Sequence, residues 1–165
     1  MAPSLRLNAV AFISPQNEPI LIRTFGKQDE SAIKYHYIAH TSLDVIEERV
    51  NANAKLAECY LGLLYAMEDV AVYGYITPSK VKIVIALALS DSVVRDVEVN
   101  MIFKALHMTY YAAVSNPFLS LQASTDSIHD SPRSHCLLAG SQKWKNFRRN
   151  VDEISEVLGN PPVTN

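Results

Sequence analysis

Residues 57–89, AECYLGLLYAMEDVAVYGYITPSKVKIVIALAL, hold three apolar runs separated by two short polar clusters. Residues 60–65 are near-continuously apolar, and residues 70–76 are rich in β-branched and aromatic side chains. Residues 81–89 alternate, with Val81, Ile83 and Ile85 in phase. Such side chains suit a pleated, half-buried surface, so each run is a predicted strand. Met67-Glu68-Asp69 and Thr77-Pro78-Ser79-Lys80 supply turn chemistry between them. Gly62 and Gly74 lie inside strand patterns, where glycine marks a bulge or a close approach by a neighbour. A three-stranded meander therefore constrains the fold, and the flanking sequence must cover it.

Upstream, residues 5–14 alternate as a strand. Residues 20–25 form a second, with Ile20, Ile22 and Thr24 expected on one side. Pro15-Gln16-Asn17-Glu18-Pro19 joins them as a hairpin. Asp29 or Ser31 can then cap a helix. From residue 32 to 52 the period becomes helical, placing Tyr35, Ile38, Ser42, Val45, Ile46 and Val50 on one side. His36, His40, Asp44 and Glu47 form a polar ridge on the other.

A second helix is predicted over residues 94–114, stopped by Asn116-Pro117. One face carries Val99, Ile102, Phe103, Leu106, Tyr110 and Ala113; a nearly opposite face carries Val97, Met101, Ala105, Met108 and Ala112. A surface helix needs one apolar stripe, so the second requires cover from another helix of the chain or from a partner. Residues 119–141 lose all periodicity and read as a polar insert or linker. Residues 142–158 restore it, with Trp144, Phe147, Val151, Ile154 and Leu158 on one face, and Gly159 ends the helix. Its basic residues precede its acidic ones, against the helix dipole, so packing and Arg148–Asp152 and Arg149–Glu153 pairs must hold it. Residues 159–165 read as a disordered tail. The order ββ-α-βββ-α-linker-α predicts an α+β fold, one antiparallel sheet with helices on its faces.

Function classes narrow by composition and by missing motifs. A net charge of −2 argues against a general nucleic-acid binder, which needs a basic face. The longest purely apolar run, residues 83–89, is far short of the ~20 residues that span a bilayer, and the N-terminal run alternates rather than forming a signal segment. A soluble, intracellular chain is expected. Cys59 and Cys136 are far apart and read as one core and one loop thiol, not a metal pair. His36 and His40 share the i, i+4 spacing of zinc-binding helices, with Asp44 one turn on, but Tyr37 stands where the general-base glutamate belongs. With five glycines in the chain there is no phosphate-cradling loop, and no nucleophile elbow occurs. No catalytic, cofactor or metal residues are expected. The candidate site is a partner interface at His36, His40, Asp44, Glu47, Met101 and Met108.

Several collinear segments carry a resemblance: HYIAHTSLDVIEERV (36–50), YLGLLY (60–65), EDVAVYGYITPSKVKIVIAL (68–87), RDVEVNMIFKALH (95–107) and SNPF (115–118). They resemble the sedlin family of transport protein particle (TRAPP) small subunits, nearest its subunit 2-like branch, with a weaker echo in KNFRRNVDEI (145–154). The resemblance implies a longin-type (SNARE-like) domain over residues 1–118, a five-stranded sheet in the order 2-1-5-4-3. The first helix would lie on one face and the last two on the other, the third covering part of the second's outer stripe. The insert at 119–141 departs from the family pattern. By resemblance the chain is a non-catalytic adaptor of a TRAPP-type tethering and Rab exchange-factor complex in ER-to-Golgi and intra-Golgi transport. It would be cytoplasmic, peripheral to those membranes through the complex. Its partners would be other TRAPP subunits and, indirectly, a Rab-type GTPase, and Asp44 would face a neighbouring subunit. The alternative is the regulatory longin domain of another trafficking protein, whose SNARE form would continue into a long heptad region.

Overall fold

The computed structural model describes residues 5–25, 31–52, 59–89, 93–115 and 144–158. The insert at 119–141 with Cys136, the tail at 159–165, and the cap candidates Asp29 and the Ser31 side chain lie outside what it describes. Eight elements follow in order: β1 Leu7–Ile13, β2 Pro19–Thr24, α1 Ser31–Ala52, β3 Tyr60–Met67, β4 Val70–Ile76, β5 Lys82–Ala88, α2 Asp96–Val114 and α3 Lys145–Val157. The five strands form one antiparallel sheet in the order β2-β1-β5-β4-β3, as the resemblance implied. The α2 boundary begins two residues later than its periodicity suggested, at Asp96, and α3 begins at Lys145 after a buried Trp144.

Alternation along the strands divides the core into two layers. On one face Leu7, Val10, Phe12, Tyr73, Tyr75, Ile83, Ile85 and Leu87 meet Val99, Ile102, Phe103 and Leu106 of α2 and Phe147 and Val151 of α3. On the other, Ala9, Ala11, Val72, Val84 and Ala86 meet Ile38, Ala39, Leu43 and Ile46 of α1. The α1 face is thus floored by small residues. Gly74 extends this floor, since a Cβ there would lie 2.9 Å from a Leu64 methyl. Small floor residues let one helix settle close to the sheet. The α2/α3 face is aromatic: Phe103 stacks on Tyr75 at 5.3 Å between centroids, Phe12 stacks on Tyr110 at 5.7 Å, and Phe147 meets Phe12 edge-on at 5.1 Å. Offset and edge-on pairs of this kind add to the area they bury.

One expectation needs correction, and one contact goes beyond what local spacing announced. In β2, Ile20 and Ile22 do not share a side: Ile20 and Leu21 contact the α2/α3 layer and Ile22 the α1 layer. The register slips between Phe12 and Ile13, where Phe12 faces Leu21 and Ile13 faces Pro19, and one extra residue breaks a period of two. In α3, Asp152 is engaged over a long range. It accepts two hydrogen bonds of 2.8 Å from the Arg23 guanidinium on β2, a bidentate pair that pins α3 to the sheet. Arg149 and Glu153 form the expected local pair at 3.7 Å.

Candidate interaction surfaces

α1 lies with Ile38, Ser42 and Ile46 inward, so its opposite side is fixed outward. Ser42 donates to the Ile38 carbonyl at 2.6 Å and Tyr65 donates to the same oxygen at 3.0 Å, consuming the polar groups under the helix. His36, His40, Asp44 and Glu47 are all exposed, which places the four ridge residues together on one outer face. Glu47 is tied into the fold: its carboxylate accepts from Asn17 Nδ2 at 3.0 Å, and Asn17 Oδ1 accepts from Lys82 Nζ. Asn17 holds a left-handed φ of 64° at the β1–β2 turn, which aims its amide toward both partners. Burial pushes the Lys82 ammonium below its ordinary range, and the Glu47 carboxylate pulls the other way. At the far end Lys34 bonds Asp69 at 3.1 Å, which raises the Lys34 pKa and lowers that of Asp69. Among the described residues no three His, Cys, Asp or Glu side chains come together to hold a metal ion.

The β3 edge is not bare. Gly62 takes a φ of 76° in a bulge, and the Arg49 guanidinium from α1 donates to the carbonyls of Leu61 and Leu63, each at 2.5 Å. A bulge and a charged side chain are two devices that keep an edge strand from pairing with other chains. This apolar edge is therefore partly closed by the chain's own Arg49.

α2 presents the strongest departure from a satisfied surface. Its inner stripe is buried, with Val99, Phe103 and Leu106 at 0% exposure. Its outer stripe stays open even though α3 lies alongside: Val97 is 71% exposed, Met101 65% and Met108 66%. The expected cover by the last helix does not form over these residues. Between the helices runs an apolar groove of about 630 Å³. Glu98, Met101, Ala105 and Thr109 form its α2 wall, and Asn150, Glu153, Ile154 and Val157 its α3 wall. Glu98 was invisible as a site residue from sequence, although it lies one helical turn before Met101. Its buried Oε2 has no hydrogen-bond partner among the described residues.

The six predicted interface residues thus fall on two separate surfaces. His36, His40, Asp44 and Glu47 share the α1 face, while Met101 and Met108 lie on α2 across the sheet. No helix among the described residues is long and apolar enough to cross a membrane.

The family model for sedlin matches residues 12–134. The trafficking protein particle complex subunit 2-like protein of Bos taurus is 44% identical over 113 residues, covering 66% of this chain and 80% of the relative. The protein of the same name from Dictyostelium discoideum is 38% identical over 125 residues, covering 74% and 89%. The matched span takes in the α1 ridge, the meander and the whole of α2. With strand order, two-layer core and these matches in agreement, the chain belongs to the sedlin family, with its longin-type α+β fold.

Proposed function

We propose that this chain is a non-catalytic assembly subunit of a TRAPP-type vesicle-tethering complex. Relatives named as subunits of such a particle, at 44% identity, support this reading. The single structural observation that carries it is the apolar stripe of α2, open to solvent on a domain whose core is otherwise complete. An exposed apolar stripe of this extent marks a protein contact. In this reading the complex, not this subunit, performs Rab-type nucleotide exchange. The chain works in the cytoplasm, reaching ER and Golgi membranes through its neighbours, in ER-to-Golgi and intra-Golgi steps. Asp44 with His36, His40 and Glu47 forms one contact, and Met101 with Met108 a second.

Co-purification of the tagged chain with its neighbours tests the proposal. Asp44→Lys and Met101→Lys are each expected to deplete neighbouring subunits while the isolated domain stays folded. Undiminished assembly in both variants removes these interface assignments.

A further inference from the structure

The groove between α2 and α3 carries more information than its apolarity. Both walls are helices, so their backbone hydrogen bonds are satisfied internally and the groove offers an occupant almost nothing but side chains. An extended segment laid there would leave its own amides and carbonyls unpaired, whereas a helix brings them already satisfied. The walls set the length. From Glu98 to Thr109 the α2 wall runs about 17 Å at 1.5 Å per residue, about three helical turns.

The rim then sets the charge. Glu98 and Glu153 line opposite walls, and no Lys or Arg among the described residues lines the groove. The buried Oε2 of Glu98 has no hydrogen-bond partner among the described residues. Glu153 is met by Arg149 at 3.7 Å, but both side chains are more than half exposed, so water screens the pair and a partner's cation can take its place. An acidic rim around an apolar floor repels anionic headgroups and fatty acids and favours a cationic flank.

Resting on the assembly-subunit reading, we infer that the α2–α3 groove receives an amphipathic helix of a partner protein. That helix sets apolar side chains against Met101, Ala105 and Ile154, and Lys or Arg against Glu98 and Glu153. Ala105 is exposed on the α2 wall, and a larger side chain there fills the groove without entering the core.

The test is a displayed library of amphipathic helical peptides with a fixed leucine stripe and flanks drawn from Lys, Gln and Glu, selected on the immobilised full-length chain. Selected peptides should favour Lys over Glu on each flank by about tenfold, the value of one charge-assisted contact. They should bind Ala105→Phe and Met101→Glu at least about tenfold more weakly, while Glu98→Gln narrows the Lys preference. Thermal unfolding identifies any variant that fails to fold, and the other then carries the comparison. Peptides indifferent to both groove variants, or without flank preference, overturn the inference. So does a dimer of the chain that Met101→Glu dissociates, or Met101-dependent flotation with phosphatidylserine vesicles. Asp44→Lys lies across the sheet from the groove. Its effect on assembly stands or falls separately from the peptide result, so the two failures are distinguishable.

Discussion

The two faces of the sheet solve the same covering problem with opposite materials. Under α1 the floor is Ala9, Ala11, Gly74, Val84 and Ala86, and one helix closes it, leaving a polar ridge outside. Under α2 and α3 the floor is aromatic and aliphatic bulk, and two helices share the cover with a groove between them. A small-residue floor lets one helix close it, with Ile33 and Tyr37 of that helix left exposed beside the ridge. A bulky one is sealed below yet leaves apolar side chains of the covering helix facing outward. The difference teaches where this chain is unfinished alone: on α2, not on the meander.

Alkaline pH should have the largest effect, and it acts on both faces. Burial raises the pKa of Tyr73, Tyr75 and Tyr110 in the aromatic layer, and burial followed by the 2.9 Å bond to Asp96 raises that of Tyr60. Tyr35 and Tyr65 on the α1 side are also raised by burial. A tyrosine whose folded pKa exceeds its unfolded value keeps its proton in the native state when the unfolded chain has lost it. Its stabilising contribution is present below the ordinary 10.0 and fades as pH climbs toward the folded value. Cooperative unfolding above that pH is expected, with tyrosinate absorbance rising together with loss of helical circular dichroism. Ionisation of all six tyrosines with the fold intact contradicts the packing described.

Next in size is Phe103→Ala. It removes a ring at 0% exposure that stacks on Tyr75, and should cost about 3–5 kcal/mol by denaturant titration. Gly74→Val probes the opposite face by overfilling. With a Leu64 methyl 2.9 Å from the new Cβ, about 1–3 kcal/mol should be lost. If this variant is neutral, the α1 floor is looser than its small residues imply. Smaller again is Asp152→Ala, which cuts the bidentate link from α3 to β2. The side chains are 18% and 28% exposed, so about 1 kcal/mol is expected, with opening of α3 before the rest in hydrogen exchange.

Much of this fold was legible because two signals are local. Strand alternation put Val81, Ile83 and Ile85 in one phase, and Ile83 and Ile85 share the α2/α3 layer while Val84 and Ala86 face α1; helical spacing put Ile38, Ser42 and Ile46 inward on α1. Strand order came with the resemblance, since pairing among strands leaves no mark in local spacing. The β2 phase failed because a one-residue bulge reverses alternation without a distinctive residue type. The Arg23–Asp152 pair joins residues 129 apart, and Arg49 reaches β3 from another element; neither partner choice is written in either segment. The second stripe of α2 was visible in sequence. That α3 would leave it open depends on how the two helices pack, which local spacing does not determine.

One measurement bears most directly on the claim that α2 is finished by a partner: Met101→Lys, followed in both folding and assembly. With Met101 65% exposed, the isolated variant should keep its stability to within about 0.5 kcal/mol of the parent, while co-purification of neighbouring subunits falls sharply. Full assembly by a folded Met101→Lys protein, or loss of assembly only because the variant unfolds, contradicts the account.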